Sequence, residues 1–352
     1  WRYEGMIIEV RVNNCFSFSE PIVFSMKADM RNKKFASNVH KENNFNILKT
    51  AGIYGPNNAG KTCLVKCIRS IVNVFLNQNP AIKSNIFTKS SICQMGISFL
   101  VDGREFSYDF WYDTKKKEYP YEEFKEILKD QYGNEKEVVW LLKDSVNSNY
   151  QYENEELTKM IPLVSQSNLL VYLVDTSKFK YLAEMKELIV KFASKVDIVD
   201  MNNIPMERTI NLMKNKNDLQ KKVVEFIKNA DLYMDDYAYV DMDKIHVKVE
   251  NVDERPEEKV LNIPEQIIDQ IRLVSVYKGI PVPSILFDST GTKKIAALAS
   301  YIIEGLENGR ILVVDELDSS IHFKLTRAIV AMFNNELNYN SQLIFTVHDI
   351  NL

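Results

Sequence analysis

Apolar residues follow two different spacings along the chain, and these predict strands in some segments and helices in others. In 6–26 and again in 95–112, apolar and polar residues alternate in the manner of strands. Within the second segment, Asp102 and Gly103 form a dipeptide typical of a tight hairpin turn. Both segments are therefore expected to belong to antiparallel sheet.

Short apolar runs without alternation predict buried strands at 51–54, 169–174 and 271–277. Strands are also expected within 237–250. The segment 251–266 is charged and contains prolines, so we expect it to form a surface loop.

A spacing of three to four residues predicts helices in three other places: after residue 60, within 177–232, and after residue 289. The long stretch 177–232 is expected to be a helical insertion. The apolar face after residue 60 consists of Leu64, Ile68, Ile71, Val72 and Phe75. Within 177–232 there are two such faces, the first formed by Leu182, Met185, Ile189, Phe192 and Val196 and the second by Leu219, Val223, Ile227 and Ala230. The face after residue 289 consists of Ile295, Leu298, Ala299, Ile302 and Leu306.

The composition of the 352 residues excludes some classes of protein. No apolar run approaches the roughly 20 residues of a membrane span, so membrane transport is set aside. No secretory signal is visible and the four cysteines form no C-x-x-C pair, which favours a cytoplasmic protein. The net charge of −4 does not favour nucleic-acid binding by the molecule as a whole.

The segment between the strand at 51–54 and the following helix has the glycine-rich pattern of a phosphate-binding loop. Gly55, Gly60, Lys61 and Thr62 match the motif G-x-x-x-x-G-K-[ST] at every position. In such a loop, backbone N–H groups surround the phosphates, the lysine reaches the β- and γ-phosphates, and the hydroxyl ligates Mg²⁺. The residues expected to bind nucleotide are Gly55, Pro56, Asn57, Asn58, Ala59, Gly60, Lys61, Thr62 and Cys63.

A second apolar run, at 311–314, ends in two acidic residues. A fully buried parallel strand has this pattern, and ligands bind at the carboxyl ends of such strands. We expect Asp315 to hold Mg²⁺, often through water, and Glu316 to orient and deprotonate the attacking water.

Two further features lie at the ends of predicted elements. Ser289 is a suitable N-cap for the helix that follows it, and Gly291 permits close backbone approach, so this end could hold an anion; an ordinary capped helix is the alternative. His348 directly follows a buried apolar strand at 342–347, which places it toward the phosphates.

The order of these motifs, GPNNAGKT, DSTGTKK, ILVVDELDSS and LIFTVHD, resembles ABC-type ATPases of the SMC/RecF/OLD branch. Within that branch the chain is most similar to compact ATPase subunits of phage-defence systems, of the RloA, PARIS, Septu and retron-linked kinds. The opening strand at 6–10, with Asn14, Phe16, Ser17 and Phe18, is similar to the N-F-x-S-F element of the branch.

The resemblance implies an α/β fold, an ABC-type P-loop ATPase head with a mixed central sheet, flanking helices, an N-terminal antiparallel β subdomain and a helical insertion. The corresponding segments are 6–175 for the N-terminal lobe, 176–236 for the insertion and 237–352 for the C-terminal lobe. Relatives usually continue beyond the position of Leu352, so we expect the sequence to be part of a longer chain.

The resemblance also implies roles for single residues. Ser289 and Gly291 correspond to the signature motif, which closes on nucleotide held by a second copy, and Asp318 corresponds to the D-loop. His348 corresponds to the switch histidine that senses the γ-phosphate. The signature reads Ser-Thr-Gly-Thr-Lys-Lys rather than Leu-Ser-Gly-Gly-Gln, and Gln94 is a poor candidate for the Q-loop glutamine.

The implied activity is Mg²⁺-dependent ATP hydrolysis by an ATP-sandwiched homodimer, with Lys61, Glu316 and His348 in catalysis and Thr62 and Asp315 at the metal. Nucleotide state would control a partner effector, expected to be a nuclease in anti-phage defence. One alternative is a DNA repair or chromosome-maintenance ATPase that binds DNA directly, and the acidic net charge counts against it. The other is a scaffold that does not hydrolyse nucleotide, but both Lys61 and Glu316 are present.

Overall fold

The computed structural model describes residues 5–31, 34–42, 45–129, 134–215, 217–230, 233–240 and 264–348. These divide into two compact units. The first takes its residues from Trp1–Asp200, Gly305–Leu317 and Arg327–Leu352, and the second from Met201–Glu304 and Asp318–Thr326. Each unit is built around sheets of its own.

The strands in chain order are β1 (Gly5–Asn13), β2 (Ile22–Ser25), β3 (Val39–Glu42), β4 (Phe45–Leu48), β5 (Thr50–Tyr54), β6 (Ile92–Val101), β7 (Arg104–Asp113), β8 (Glu118–Lys129), β9 (Glu135–Asp144), β10 (Asn149–Tyr152), β11 (Val196–Asp200), β12 (Asp236–Tyr239), β13 (Leu273–Tyr277), β14 (Ile280–Pro283), β15 (Ile311–Asp315) and β16 (Gln342–Val347). The α-helices are α1 (Lys61–Phe75), α2 (Glu155–Met160), α3 (Leu170–Leu173), α4 (Lys180–Ala193), α5 (Glu207–Lys214), α6 (Asp218–Ala230), α7 (Glu265–Arg272), α8 (Ser284–Phe287), α9 (Thr290–Asn308) and α10 (Phe323–Phe333).

The first unit contains a seven-stranded antiparallel sheet in the order β10-β9-β8-β7-β6-β1-β2. The strands predicted in 6–26 and 95–112 are confirmed. Asp102 and Gly103 join β6 to β7 with φ of 53° and 71°, the left-handed conformation that a two-residue hairpin turn requires. Helices α1 and α4 pack on this sheet through aromatic rings: Phe75 of α1 stacks on Tyr108, and Phe192 of α4 stacks on Phe99.

A buried ion pair lies within this antiparallel sheet. Glu122 of β8 and Lys143 of β9 are both 0 % exposed, and the ammonium donates to the carboxylate at 2.8 Å. The same carboxylate accepts hydrogen bonds from the hydroxyl of Tyr108 at 2.9 Å and from the backbone N–H of Leu170 at 3.0 Å. Burial raises the pKa of Tyr108 well above its ordinary value, so its hydroxyl remains a donor.

The first unit also contains a four-stranded parallel sheet in the order β11-β15-β16-β5. Every residue of β15 and of β16 is buried, as predicted for strands with a neighbour on each side. The expectation that 51–54 is buried was wrong, because β5 pairs on one side only and Tyr54 is 68 % exposed. The carboxyl ends of the four strands share one edge.

Two predictions of secondary structure were wrong. Residues 169–174 were expected to form a strand, but they contain the helical turn α3, whose first N–H group, that of Leu170, donates to the Glu122 carboxylate. A short apolar run does not distinguish a buried strand from a buried turn of helix. The stretch 177–232 was expected to be helical throughout, but β11 within it is a strand of the parallel sheet, where its backbone pairs with β15.

The second unit contains a three-stranded antiparallel sheet, β12-β13-β14, together with α5 and α6. Val223 and Ile227 are buried, as the helical face predicted. The strand expected from residue 271 begins two residues later, because α7 continues to Arg272. Most of the predicted strand region 237–250 and loop 251–266 lies outside the described residues. No helix in the described part of the chain is long and apolar enough to cross a membrane.

Candidate active site

The glycine-rich loop lies between β5 and α1, the order that its sequence predicted. Gly60 directly precedes the helix with φ of 93°, a left-handed conformation that favours glycine. A Cβ atom at this position would lie 3.0 Å from the ring of Phe18 and 3.3 Å from the hydroxyl of Ser17. The turn that carries both residues is closed by two backbone hydrogen bonds between Cys15 and Phe18. The loop therefore packs closely against this turn at a point where a side chain would be crowded.

The Lys61 side chain is held by its own loop. Its ammonium group donates to the carbonyl oxygens of Gly55 at 2.6 Å and Pro56 at 3.1 Å, and the residue is 9 % exposed. These partners lie six and five positions earlier in the chain. The loop thus curls around a cation, which is the geometry expected of a site for an anionic ligand.

Asp315 ends β15 beside the first turn of α1. Its Oδ1 atom accepts a hydrogen bond from the hydroxyl of Thr62 at 3.3 Å. Within the described ranges, Oδ2 makes no hydrogen bond, so one carboxylate oxygen and one hydroxyl are available to a hard cation. These oxygens fit Mg²⁺, which commonly takes one or two protein ligands together with waters and substrate phosphates. The part of the chain that the structure describes contains no group of three or more His, Cys, Asp or Glu side chains that could hold a metal by itself.

The sequence did not identify Thr346, a fully buried residue of β16 that contacts both acidic residues. Its hydroxyl donates to Oδ1 of Asp315 at 2.6 Å and accepts from the backbone N–H of Glu316 at 2.7 Å. The available signal was a polar residue within the apolar run 343–347.

Glu316 and His348 lie at the same edge of the sheet. The imidazole Nε2 of His348 is 3.6 Å from Oε1 of Glu316, and both side chains are partly exposed. Glu316 has φ of 57°, a left-handed conformation that is uncommon for a residue with a side chain. Such backbone strain often occurs at functional sites.

One open cavity of about 920 Å³ joins these features within the first unit. Its lining includes the glycine-rich loop, the first turns of α1, Glu316 and His348. A cavity of this size is large enough for a nucleotide. The lining residues are Ser17, Asn57, Asn58, Ala59, Gly60, Lys61, Thr62, Cys63, Lys66, Glu316 and His348.

The remaining candidates, Ser289, Gly291 and Asp318, belong to the second unit. Ser289 caps α9, since its hydroxyl accepts from the N–H of Thr292 at 3.1 Å. A Cβ atom at Gly291 would lie 2.7 Å from the carbonyl oxygen of Ser320, so this helix end packs closely on the 319–320 backbone. The cap is therefore as predicted.

Lys294, one turn into α9, strengthens this local arrangement, because its ammonium group lies 3.2 Å from the hydroxyls of both Ser319 and Ser320. Gln94, the weak Q-loop candidate, lies in β6 of the first unit, where its side chain accepts from Asn13 at 2.9 Å. It is not among the residues that line the cavity.

Residues 166–352, more than half of the chain, match the family described as "AAA domain, putative AbiEii toxin, Type IV TA system". The chain belongs to this AAA family. The match includes Asp315, Glu316 and His348, and the glycine-rich loop precedes it. A search of curated proteins found no match.

Solved structures show the fold of this AAA family member. An SMC head bound to the C-winged helix domain of ScpA aligns with a TM-score of 0.50 at 12% identity, over 98% of this chain and 90% of that chain. The SMC head domain from Thermotoga maritima aligns at 0.45 and 14% identity, covering 97% and 89%. An Smc head with an extended coiled coil, derived from Pyrococcus furiosus, aligns at 0.44 and 13%, covering 98% and 90%. The chain therefore has the mixed α/β fold of an SMC head, which is the ABC-type P-loop fold.

Proposed function

We propose that this protein hydrolyses ATP with the help of Mg²⁺. The observation that carries the proposal is the single cavity that the glycine-rich loop shares with Glu316 and His348. A phosphate loop alone binds nucleotide, whereas hydrolysis also requires a group that activates water. Glu316 is in position to accept a proton from water, and His348 lies beside it at 3.6 Å.

Each group has a role that follows from its charge and position. The loop N–H groups and Lys61 bind the phosphates, and Thr62 and Asp315 hold the cation. Bound Mg²⁺ neutralises charge on the phosphate oxygens. Glu316 orients and deprotonates the attacking water, and His348 senses the γ-phosphate. Catalysis then consists of positioning and charge stabilisation, as is general for phosphoryl transfer.

We propose further that the active form is a homodimer in which each nucleotide contacts both copies. Support comes from the position of Ser289 and Gly291 at the N-terminal end of α9, because the N-terminus of a helix favours an anion. Asp318 would lie at the same interface between the two copies. The resemblance to ABC-type ATPases assigns these residues to the neighbouring nucleotide.

The proposed output is control of a partner effector, a nuclease in anti-phage defence. The family description names a toxin, and one solved SMC head is bound to another protein, ScpA, which supports an output through protein contact. That this effector is a nuclease is inferred from the resemblance to compact defence ATPases. Direct binding of DNA is less favoured, because the chain carries a net charge of −4.

A mixing experiment tests the shared site. Ser289→Arg is expected to leave ATP binding intact while preventing ATP-dependent dimerisation and hydrolysis, and Lys61→Ala is expected to prevent binding. Mixed together, the two inactive variants should regain activity, because a heterodimer contains one intact loop facing one intact signature. Steady-state phosphate release and light scattering measure both effects.

The matched control mixes Lys61→Ala with a chain that carries both substitutions, a combination that contains no intact loop. It should remain inactive. If Ser289→Arg alone hydrolyses ATP at the parent rate, independently of protein concentration, then each chain contains a complete site and the ABC-type dimer is wrong. If the parent protein releases no phosphate from ATP, then the proposed hydrolysis itself is wrong.

A further inference from the structure

Three consecutive residues at the end of β15 all bond to one threonine of the neighbouring strand. Thr346 contacts the carboxylate of Asp315 and the N–H of Glu316 through its hydroxyl, at 2.6 and 2.7 Å. Its carbonyl oxygen accepts from the N–H of Leu317 at 2.9 Å. One residue thus fixes both the proposed metal ligand and the backbone of the proposed base.

A hydroxyl group suits this position because it donates one hydrogen bond and accepts others. Here it donates to an anionic oxygen and accepts from an amide, which no aliphatic side chain can do. Thr346 is 0 % exposed, so water cannot replace its hydroxyl without rearrangement of the sheet. Without the hydroxyl, Asp315 would keep, among the residues that the structure describes, only the longer 3.3 Å side-chain bond from Thr62.

The backbone of Glu316 depends on the same contact. Its φ of 57° is unfavourable for any residue with a Cβ atom and persists only where surrounding bonds impose it. The hydrogen bonds that the N–H groups of residues 316 and 317 donate to Thr346 are of this kind. Because the backbone conformation sets the direction of the side chain, these bonds also aim the Glu316 carboxylate.

We propose that Thr346 is a positioning residue that couples the two acidic groups of the site. It touches neither nucleotide nor metal, and it acts by orienting Asp315 and Glu316 together. The inference rests on the proposed function of these two residues. It predicts that loss of one buried hydroxyl lowers both the affinity for Mg²⁺ and the rate of hydrolysis.

The test compares Thr346→Val, which keeps the shape and removes the hydroxyl, with Thr346→Ser, which keeps the hydroxyl. Loss of a group that orients a metal ligand typically costs about 10- to 100-fold in affinity or activity. We expect a loss of that size in kcat for Thr346→Val and an increase of similar size in the Mg²⁺ concentration at half effect. Thr346→Ser should restore both, and ATP binding without Mg²⁺ should be unchanged.

The Mg²⁺ effect is read from thermal shift with a non-hydrolysable ATP analogue, so it does not require activity. The matched control is Thr326→Val, since Thr326 is also fully buried and its hydroxyl has no hydrogen-bond partner among the described residues. This control should leave the Mg²⁺ midpoint unchanged. If Thr346→Val does not fold, its combination with Glu316→Gly, which tolerates the left-handed backbone, is compared with Glu316→Gly alone by the Mg²⁺ midpoint only, because Glu316→Gly removes the proposed base.

Equal kcat and equal Mg²⁺ midpoints for the parent and Thr346→Val would overturn the inference and leave the proposed function standing. A parent protein that binds the analogue but does not hydrolyse ATP would overturn the proposed function, and the Mg²⁺ titration would still decide the role of Thr346. A parent protein that does not bind the analogue would overturn both.

Discussion

The two halves of the cavity are positioned by different means. In the glycine-rich loop, Lys61 bonds to carbonyl groups five and six positions earlier in the chain, so the loop closes on itself. At the acidic end of β15, the decisive partner is Thr346, thirty positions away from Glu316. The lysine of the loop is therefore held by local contacts, whereas the acidic half exists only when β15 and β16 are paired.

This difference implies that substitutions in the two halves of the cavity should impair different steps. Damage to the loop should abolish binding of nucleotide and leave the acidic residues in place. Damage to the acidic half should leave binding largely intact and affect the metal and the chemical step. Lys61→Ala and Glu316→Gln test this separation, and Gly60→Ala tests how firmly the loop is held by its surroundings.

Lys61→Ala is expected to abolish nucleotide binding, because the charge that balances the phosphates is lost from a nearly buried position. Isothermal calorimetry with ATP measures the effect. Lys66→Ala is the matched control, since Lys66 lines the same cavity outside the motif and its loss should weaken binding much less. Unchanged ATP affinity in Lys61→Ala would show that the loop is not the nucleotide site.

Glu316→Gln is expected to keep ATP and Mg²⁺ binding while it lowers kcat by roughly 10²- to 10⁴-fold, the usual range for loss of a general base. The variant should also accumulate as a dimer with ATP, because hydrolysis is what releases the dimer. Single-turnover hydrolysis and size-exclusion chromatography measure the two effects. Glu20→Gln, at an exposed position, is the control. Hydrolysis at the parent rate would assign the base to another residue.

Gly60→Ala should have the smallest effect of the three. The left-handed φ of 93° costs a residue with a Cβ atom about 1–2 kcal/mol, and contact with the Phe18 ring at 3.0 Å adds to that. Gly279 provides the comparison, because its φ is 75° and a Cβ atom there would meet nothing within 4 Å. We expect Gly60→Ala to lower the free energy of unfolding in urea by more than Gly279→Ala does. Equal losses would mean that the turn carrying Phe18 yields easily and does not restrict the loop.

The same difference explains how much of the site could be predicted from the sequence. The loop, the helix after it and the acidic strand each show a recognisable pattern within a short continuous segment, so these three elements could be predicted. Thr346 could not be identified, because a threonine in an apolar strand gains its role only from the strand beside it. Its contact with Asp315 spans 31 positions.

The elements of the fold that show a local sequence pattern were also predicted better than those defined by distant contacts. Alternation and the Asp102-Gly103 turn correctly predicted β6 and β7, and the resemblance correctly gave the ABC-type class. The strand β11 was missed because its pairing with β15 lies more than a hundred positions away. Residues 169–174 were assigned to a strand because nothing in the local pattern reveals that the N–H of Leu170 meets the buried carboxylate of Glu122.

The buried pair of Glu122 and Lys143 limits how this sequence can change over generations. Loss of either partner would leave a charge without compensation in the protein interior, at a cost of about 3–5 kcal/mol, which is a large part of the stability of a typical domain. Replacement of both members of an isolated buried pair by apolar residues is often harmless, but here it would also leave the buried hydroxyl of Tyr108 and the N–H of Leu170 without their acceptor. Descendants of this chain are therefore expected to inherit the pair whole.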